Sequence, residues 1–167
     1  MTARSAYDHA AVERNDDPAL RDLFELHAHV QGDYDGRVTT APQDSAYVSC
    51  AIDELPDLWD GFARLVRAGM GITAFGAQIM NLPPDYATKS HDESTSGQEE
   101  LYVALSGSGA LVIDESGERL PLDPEHLVRV DAGTDRVLAS GPEGLRVLCI
   151  GSVPGAAYQP PQWTDAE

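Results

Sequence analysis

The sequence predicts a mainly β protein, an antiparallel barrel or sandwich preceded by a partly helical extension. Three observations carry this. Beyond Gly71 the chain breaks into short runs with near-alternating apolar residues: LYVAL, ALVID, ERLPL, LVRV, RVLAS and LRVLCI. Turn-forming clusters separate them: SGSG, ESG, DPE, DAGTD and GPEG. Many short strands at such spacing bury one face each and close into a sandwich or barrel. Upstream, the apolar residues recur instead at helical spacing.

The first helix is expected over 18–30. Asp17 can cap it with Pro18 at its first position, and Leu20, Leu23, Phe24 and Val30 share a face. GDYDG at 32–36 ends it. AYVSCAI then reads as a short extended piece. A second helix is expected over 56–67, with Pro56 in its first turn and Gly69 suiting its end. Its stripe is Leu58, Trp59, Phe62, Leu65 and Val66. ITAFGAQIMNL opens the β region as a strand, and PPD turns it. The tail, VPGAAYQPPQW, is Pro-rich and aromatic, and is expected to pack along the barrel or a partner subunit. The organisation is thus an N-terminal extension over 1–69 packing on the barrel, a β-barrel over 70–155 and a tail over 156–167.

Composition limits the partners. The chain has 167 residues, a size that suits one core, and 42% are apolar. Net charge is −17, from 11 basic and 28 acidic residues, and such a surface repels phosphate backbones and anionic lipid. Neither nucleic acid nor membrane is expected as a partner. No apolar run reaches the ~18 residues of a spanning helix. The N-terminus, MTARSAYDHAAVERNDDP, lacks the apolar core of a secretion signal, and Cys50 and Cys149 stand far apart. A cytoplasmic protein without disulfides is expected.

The chemistry concentrates in HDESTSGQEELYVALSGSG, residues 91–109. It holds metal-ligand residue types with one His. Alternation places Gln98, Glu100 and Tyr102 on one strand face and Glu99 on the other. Phe75 and Gln78 fall on opposite faces of the preceding strand, and the sequence leaves open which looks inward. Elsewhere, His27 and His29 would chelate only from a strand, and a helix points them apart. His126 sits in a turn beside Pro124 and reads as solvated. SGSG lacks the Lys and the helix of a phosphate loop, and no nucleophile elbow appears.

These residues resemble the cupin family. Its first motif runs His-x-His, a loop, Glu, six residues, Gly, and Glu100-LYVALS-Gly107 is similar to the second half. Its second motif runs Pro-x-Gly, two residues, His, three residues, Asn. Here Asp131-Ala132-Gly133 keeps the Gly, Arg136 stands for the His, and Ser140 for the Asn. The resemblance covers about residues 70–152. It implies a double-stranded β-helix (jelly-roll) barrel and, by the family's habit, a homodimer. In cupins the two His and Glu of the first motif and the His of the second hold a metal. His91, Glu93 and Glu100 take the first three places, with a six-residue loop over 94–99. Arg136 cannot ligate, because a guanidinium has no lone pair and keeps its charge.

Two site readings follow. In the first, which the Arg favours, the protein binds a small organic molecule, such as an organic acid, without metal. Arg136 clamps the acid, while His91, Gln98, Glu100 and Tyr102 add contacts. In the second, His91, Glu93 and Glu100 hold one divalent ion (Fe, Mn, Ni or Zn) in an enzyme of dioxygenase, isomerase or cyclase type. A non-catalytic dimeric interaction domain is a third. The sequence names no substrate.

Overall fold

The structure, a computed structural model, describes residues 46–160. The helix expected over 18–30 and the His27/His29 pair lie outside the described residues. AYVSCAI forms no strand and its last residue, Ile52, opens a 3-10 turn; Tyr47 within it is 83% exposed.

The helix expected over 56–67 is not formed. After a 3-10 turn at Ile52–Glu54 the chain makes an antiparallel hairpin, β1 (Asp57–Leu58) and β2 (Ala63–Arg64). Trp59, Asp60 and Gly61 have φ of 54°, 55° and 83°, a left-handed run that no right-handed helix tolerates. Ala63 and Leu65 are both buried, a period of two rather than 3.6. The helical period came from residues on both arms and the bend. A five-residue helix, α1 (Val66–Met70), follows and ends at Gly71 with φ 67°. Gly69 lies inside it, where a Cβ would meet Leu55 Cδ2 at 2.7 Å.

The remaining strands are β3 (Gly76–Leu82), β4 (Glu99–Ile113), β5 (Arg119–Leu122), β6 (Leu127–Val130) and β7 (Arg136–Ser152). All pairings are antiparallel, in the order β1-β2-β3-β7-β4-β5, with β6 on the first half of β4. The hydrogen-bonded ladder therefore starts at Asp57, ahead of the boundary expected at 70. LYVAL and ALVID belong to one strand, as do RVLAS and LRVLCI. SGSG and GPEG are corners within β4 and β7, marked by register shifts at Ala104/Ser106 and Gly107/Gly109. Such irregularities bend a strand and let one ladder roll up. Gly107 has φ 74°, and a Cβ there would lie 2.2 Å from the Gly144 carbonyl oxygen. Only glycine fits that corner.

Register defines the inner wall. Met80, Val147 and Ala104 form one row across β3, β7 and β4. The next row is Gln78, Cys149, Tyr102 and Val128. The row beyond is Gly76, Gly151, Glu100 and Val130. On the opposite face Leu127 is 68% exposed and Arg129 is exposed too, so these rows face inward. Past the corner, Leu111, Leu122 and Leu138 complete an apolar core, each buried. Full burial of one such side chain contributes about 1.5–3 kcal/mol. Among the described residues no helix is long and apolar enough to cross a membrane.

Candidate functional site

The mouth of the roll is built by the start of β4, the start of β7 and the 91–97 segment between β3 and β4. Backbone bonds tie that segment down. His91 and Arg136 exchange N–H···O bonds at 3.2 and 3.0 Å, and Glu93 N donates to Ala132 O at 2.7 Å. Gly97 N donates to Glu93 O at 2.7 Å, closing a turn.

Alternation then sends Glu100 and Tyr102 inward. Glu100 Oε2 accepts from Arg136 Nη2 and from the Tyr102 hydroxyl. Arg136 Nε donates to the Tyr102 oxygen at 3.1 Å, so the three side chains close a triangle. Arg136 Nη1 donates to Thr134 O at 3.2 Å and His91 O at 3.4 Å. Its side chain is 0% exposed and that of Glu100 is 14%. Burial pushes the Tyr102 phenol well above its ordinary value, and the Glu100 carboxylate adds to this. Burial works against the charge of Arg136, yet Tyr102 and Glu100 outweigh it and hold its pKa above the ordinary value. Burial, then Glu100, raises the neighbouring Cys149 thiol. The cluster is a neutralised, hydrogen-bonded unit.

This alters the role expected for Arg136. Its guanidinium is fully buried, and all three nitrogens already donate within the protein. It is not presented as a clamp for an acidic ligand. The reason is geometric: the first residue of β7 points inward, onto Glu100, the Tyr102 hydroxyl and the Thr134 and His91 carbonyls.

The other residues singled out fall as follows. His91 is exposed, its Nδ1 3.5 Å from Lys89 O. Glu93 Oε2 accepts from the Ser96 hydroxyl. One ligand atom each from His91, Glu93 and Glu100 lie within 4.8 Å of one another. Gln98 is 7% exposed and its carboxamide lies over Gly151, next to Glu100. Glu99 points outward and pairs with Arg129 at 2.5 Å. Gln78 is the inward residue that the sequence left open, while Phe75 precedes β3. Ser140 takes a bond from Tyr86 N at 2.9 Å and donates to Pro83 O at 2.5 Å, pinning the 83–86 loop. His126 is exposed but pairs with Asp123 at 2.8 Å, and that bond holds the Asp123 carboxyl below its usual value. Cys50 and Cys149 are both free thiols.

The donor set fits a resident divalent metal poorly. Three ligand atoms converge, but the Arg136 guanidinium bonds the same Glu100 oxygen as the Tyr102 hydroxyl. Two unit charges 4 Å apart interact by about 4 kcal/mol at the effective dielectric of a partly buried site, and a divalent ion doubles that repulsion. A separate cleft of about 300 Å³ opens at the corner, lined by Asn81, Pro83, Ser106, Gly107, Glu143 and Arg146 among others. Arg146 Nε donates to Asn81 Oδ1 there at 2.7 Å. It shares no lining residue with the mouth.

No protein-family model matches the sequence, and no match is found among curated proteins. Solved structures do match. A cupin protein from Bacteroides fragilis is 21% identical with a TM-score of 0.55, over 74% of this chain and 97% of its own. The chain has the cupin fold. A Cupin 2 conserved barrel domain protein from Salinispora arenicola is 15% identical, with a TM-score of 0.53, over 66% of this chain and 92% of its own. At such identities the cupin likeness is one of fold. The Gly107 corner and the Glu100 strand, which carried the resemblance in the sequence, take their places in that fold.

Proposed function

We propose that this protein is a cupin-fold binder of a small organic molecule, working without a resident metal. One observation carries the reading. Where a fourth cupin metal ligand would stand, Arg136 is buried, satisfied and ion-paired to Glu100. The mouth is then lined by groups suited to hydrogen bonding rather than to Lewis-acid chemistry: His91, Glu93, Gln98 and Gln78. Ligand sites of this kind use apolar walls and a few placed polar groups, and Met80, Val128 and Val130 supply the walls.

Elemental analysis of protein purified without a His tag tests it, followed by native mass spectrometry. The expected result is substoichiometric metal and a retained or readily loaded organic mass. Stoichiometric Mn, Fe, Ni or Zn that disappears in His91→Ala would replace this reading with the His91/Glu93/Glu100 metal enzyme.

A further inference from the structure

The cleft at the corner of the roll lies apart from the mouth and carries charges of its own. Asn81, Arg146 and Ser106 form one cross-strand row over β3, β7 and β4, and all three line the cleft. The middle residue of the row is held in place. Asn81 Nδ2 donates to Gly61 O at 2.7 Å in the β1–β2 bend, and its Oδ1 accepts from Arg146 Nε at 2.7 Å. Both ends of the carboxamide are used, which fixes the Arg146 head. Its Nη nitrogens are less engaged: among the described residues they meet only Asp53, 3.6 Å from Nη2 and itself 77% exposed. A guanidinium has five N–H donors, so the Nη side keeps donors to spare. Glu143 lines the same cleft, is exposed, and among the described residues forms no ion pair with Arg146 or with any other cation. Gly107 and Gly144 also line it and put no side chain into it, while Pro83 and Pro84, both exposed, supply an apolar wall.

We propose that the corner cleft is a second binding site, for the charged backbone end of a free amino acid. Arg146 and the Ser106 hydroxyl take its carboxylate, Glu143 takes its ammonium, and its side chain lies on the Pro83–Pro84 wall. Two opposite charges that line one cavity without neutralising each other fit a ligand that carries both. A plain anion would meet Glu143 and a net charge of −17, and a plain cation would meet Arg146. The planar guanidinium fork suits a carboxylate at two points. Because Asn81 already holds Arg146, less side-chain freedom is lost on binding. A volume of about 300 Å³ lies at the small end of ligand sites and suits one amino acid. The site shares no lining residue with the mouth, so it stands or falls independently of what the mouth binds.

Backbone-amide NMR on the isotope-labelled full chain tests it, with three probes: leucine, N-acetyl-leucine, which lacks the ammonium, and leucinamide, which lacks the carboxylate. Leucine should shift the amides of Ser106, Gly107, Glu143 and Gly144. Each analogue should bind about three- to five-fold more weakly, the worth of one exposed charge pair. Glu143→Gln should weaken leucine by the same factor and leave N-acetyl-leucine unchanged. Arg146→Gln should weaken leucine and N-acetyl-leucine and leave leucinamide unchanged. Glu143 has no bond to lose, so Glu143→Gln keeps the test valid even if Arg146→Gln, which frees Asn81, fails to fold. Analogues that bind as well as leucine would overturn the ligand class. Leucine binding unaltered in Glu143→Gln would overturn the assignment of the ammonium. Shifts confined to residues 91–102 would put the amino acid at the mouth, and no shift with any probe would leave the cleft to solvent; either result ends the proposal.

Discussion

The two halves of β4 share one strand and one alternation but finish in different ways. Past the corner, the inward residues are apolar: Leu111 is buried, beside Leu122 and Leu138. Before it, the inward residues are Glu100 and Tyr102, closed on Arg136. The far half needs only volume to be filled. The near half needs charge to be cancelled, which a burial pattern alone would never require. The difference teaches that the near half is organised around a polar pair.

The largest break in this comparison comes from stranding a charge. Glu100→Ala leaves Arg136 buried and unpaired, and is expected to cost about 3–5 kcal/mol in urea unfolding. Glu100→Leu with Arg136→Met should recover much of that, because the near half would then resemble the far half. Additive losses would show that the pair does not act as one unit. Leu111→Ala, in the far half, should cost about 2–5 kcal/mol, with no rescue by any change at Arg136.

Tyr102→Phe strands no unpaired charge but removes the two hydrogen bonds of the hydroxyl, one given to Glu100 and one taken from Arg136, each to a charged group and worth about 1.5–3 kcal/mol. It also sharpens the pH dependence. The phenols of Tyr102 and Tyr86 are both raised by burial, that of Tyr86 to about 12. A raised folded pKa means that the unfolded chain loses its proton first, so the stabilisation is complete below pH ~10 and is lost as pH rises through the folded value. Stability should therefore fall from about pH 10 upward, Tyr86 accounting for the fall toward about 12. Tyrosinate absorbance should show both phenols titrating late. Tyr102→Phe should make the alkaline decline shallower; an unchanged slope would remove Tyr102 from this account. The smallest effect is expected outside the barrel. Arg129→Gln breaks the exposed pairs to Glu99 and Asp131 and should leave unfolding unchanged within error.

Legibility in the sequence follows the same division. Period-two runs and a Glu-x6-Gly spacing are local signals, so β3 to β7 and the Gly107 corner could be read from them. The 56–67 hairpin could not, because Leu58, Trp59, Phe62 and Leu65 satisfy helical spacing and nothing in the residue types announces φ of 54° and 55° at Trp59 and Asp60. The merging of four short runs into two long strands depends on cross-strand approach at Gly107, which is non-local. At the mouth, alternation placed Glu100 and Tyr102 inward, and the Arg in a His position flagged the cluster. The saturation of Arg136 by the His91 carbonyl, and the Gly76–Gly151 pair that gives room to Tyr158 and Gln98, arise only when segments distant in sequence come into register.

The central claim is that Arg136 stands where a metal ligand would and cancels the charge of Glu100. Calorimetric titration of Zn²⁺ into the untagged protein and into Arg136→His tests it most directly. The account predicts no specific binding to the parent, and a gain of measurable affinity in Arg136→His, where the repelling charge is gone and a fourth ligand faces His91, Glu93 and Glu100. Tight stoichiometric binding by the parent, undiminished beside Arg136→His, would contradict it.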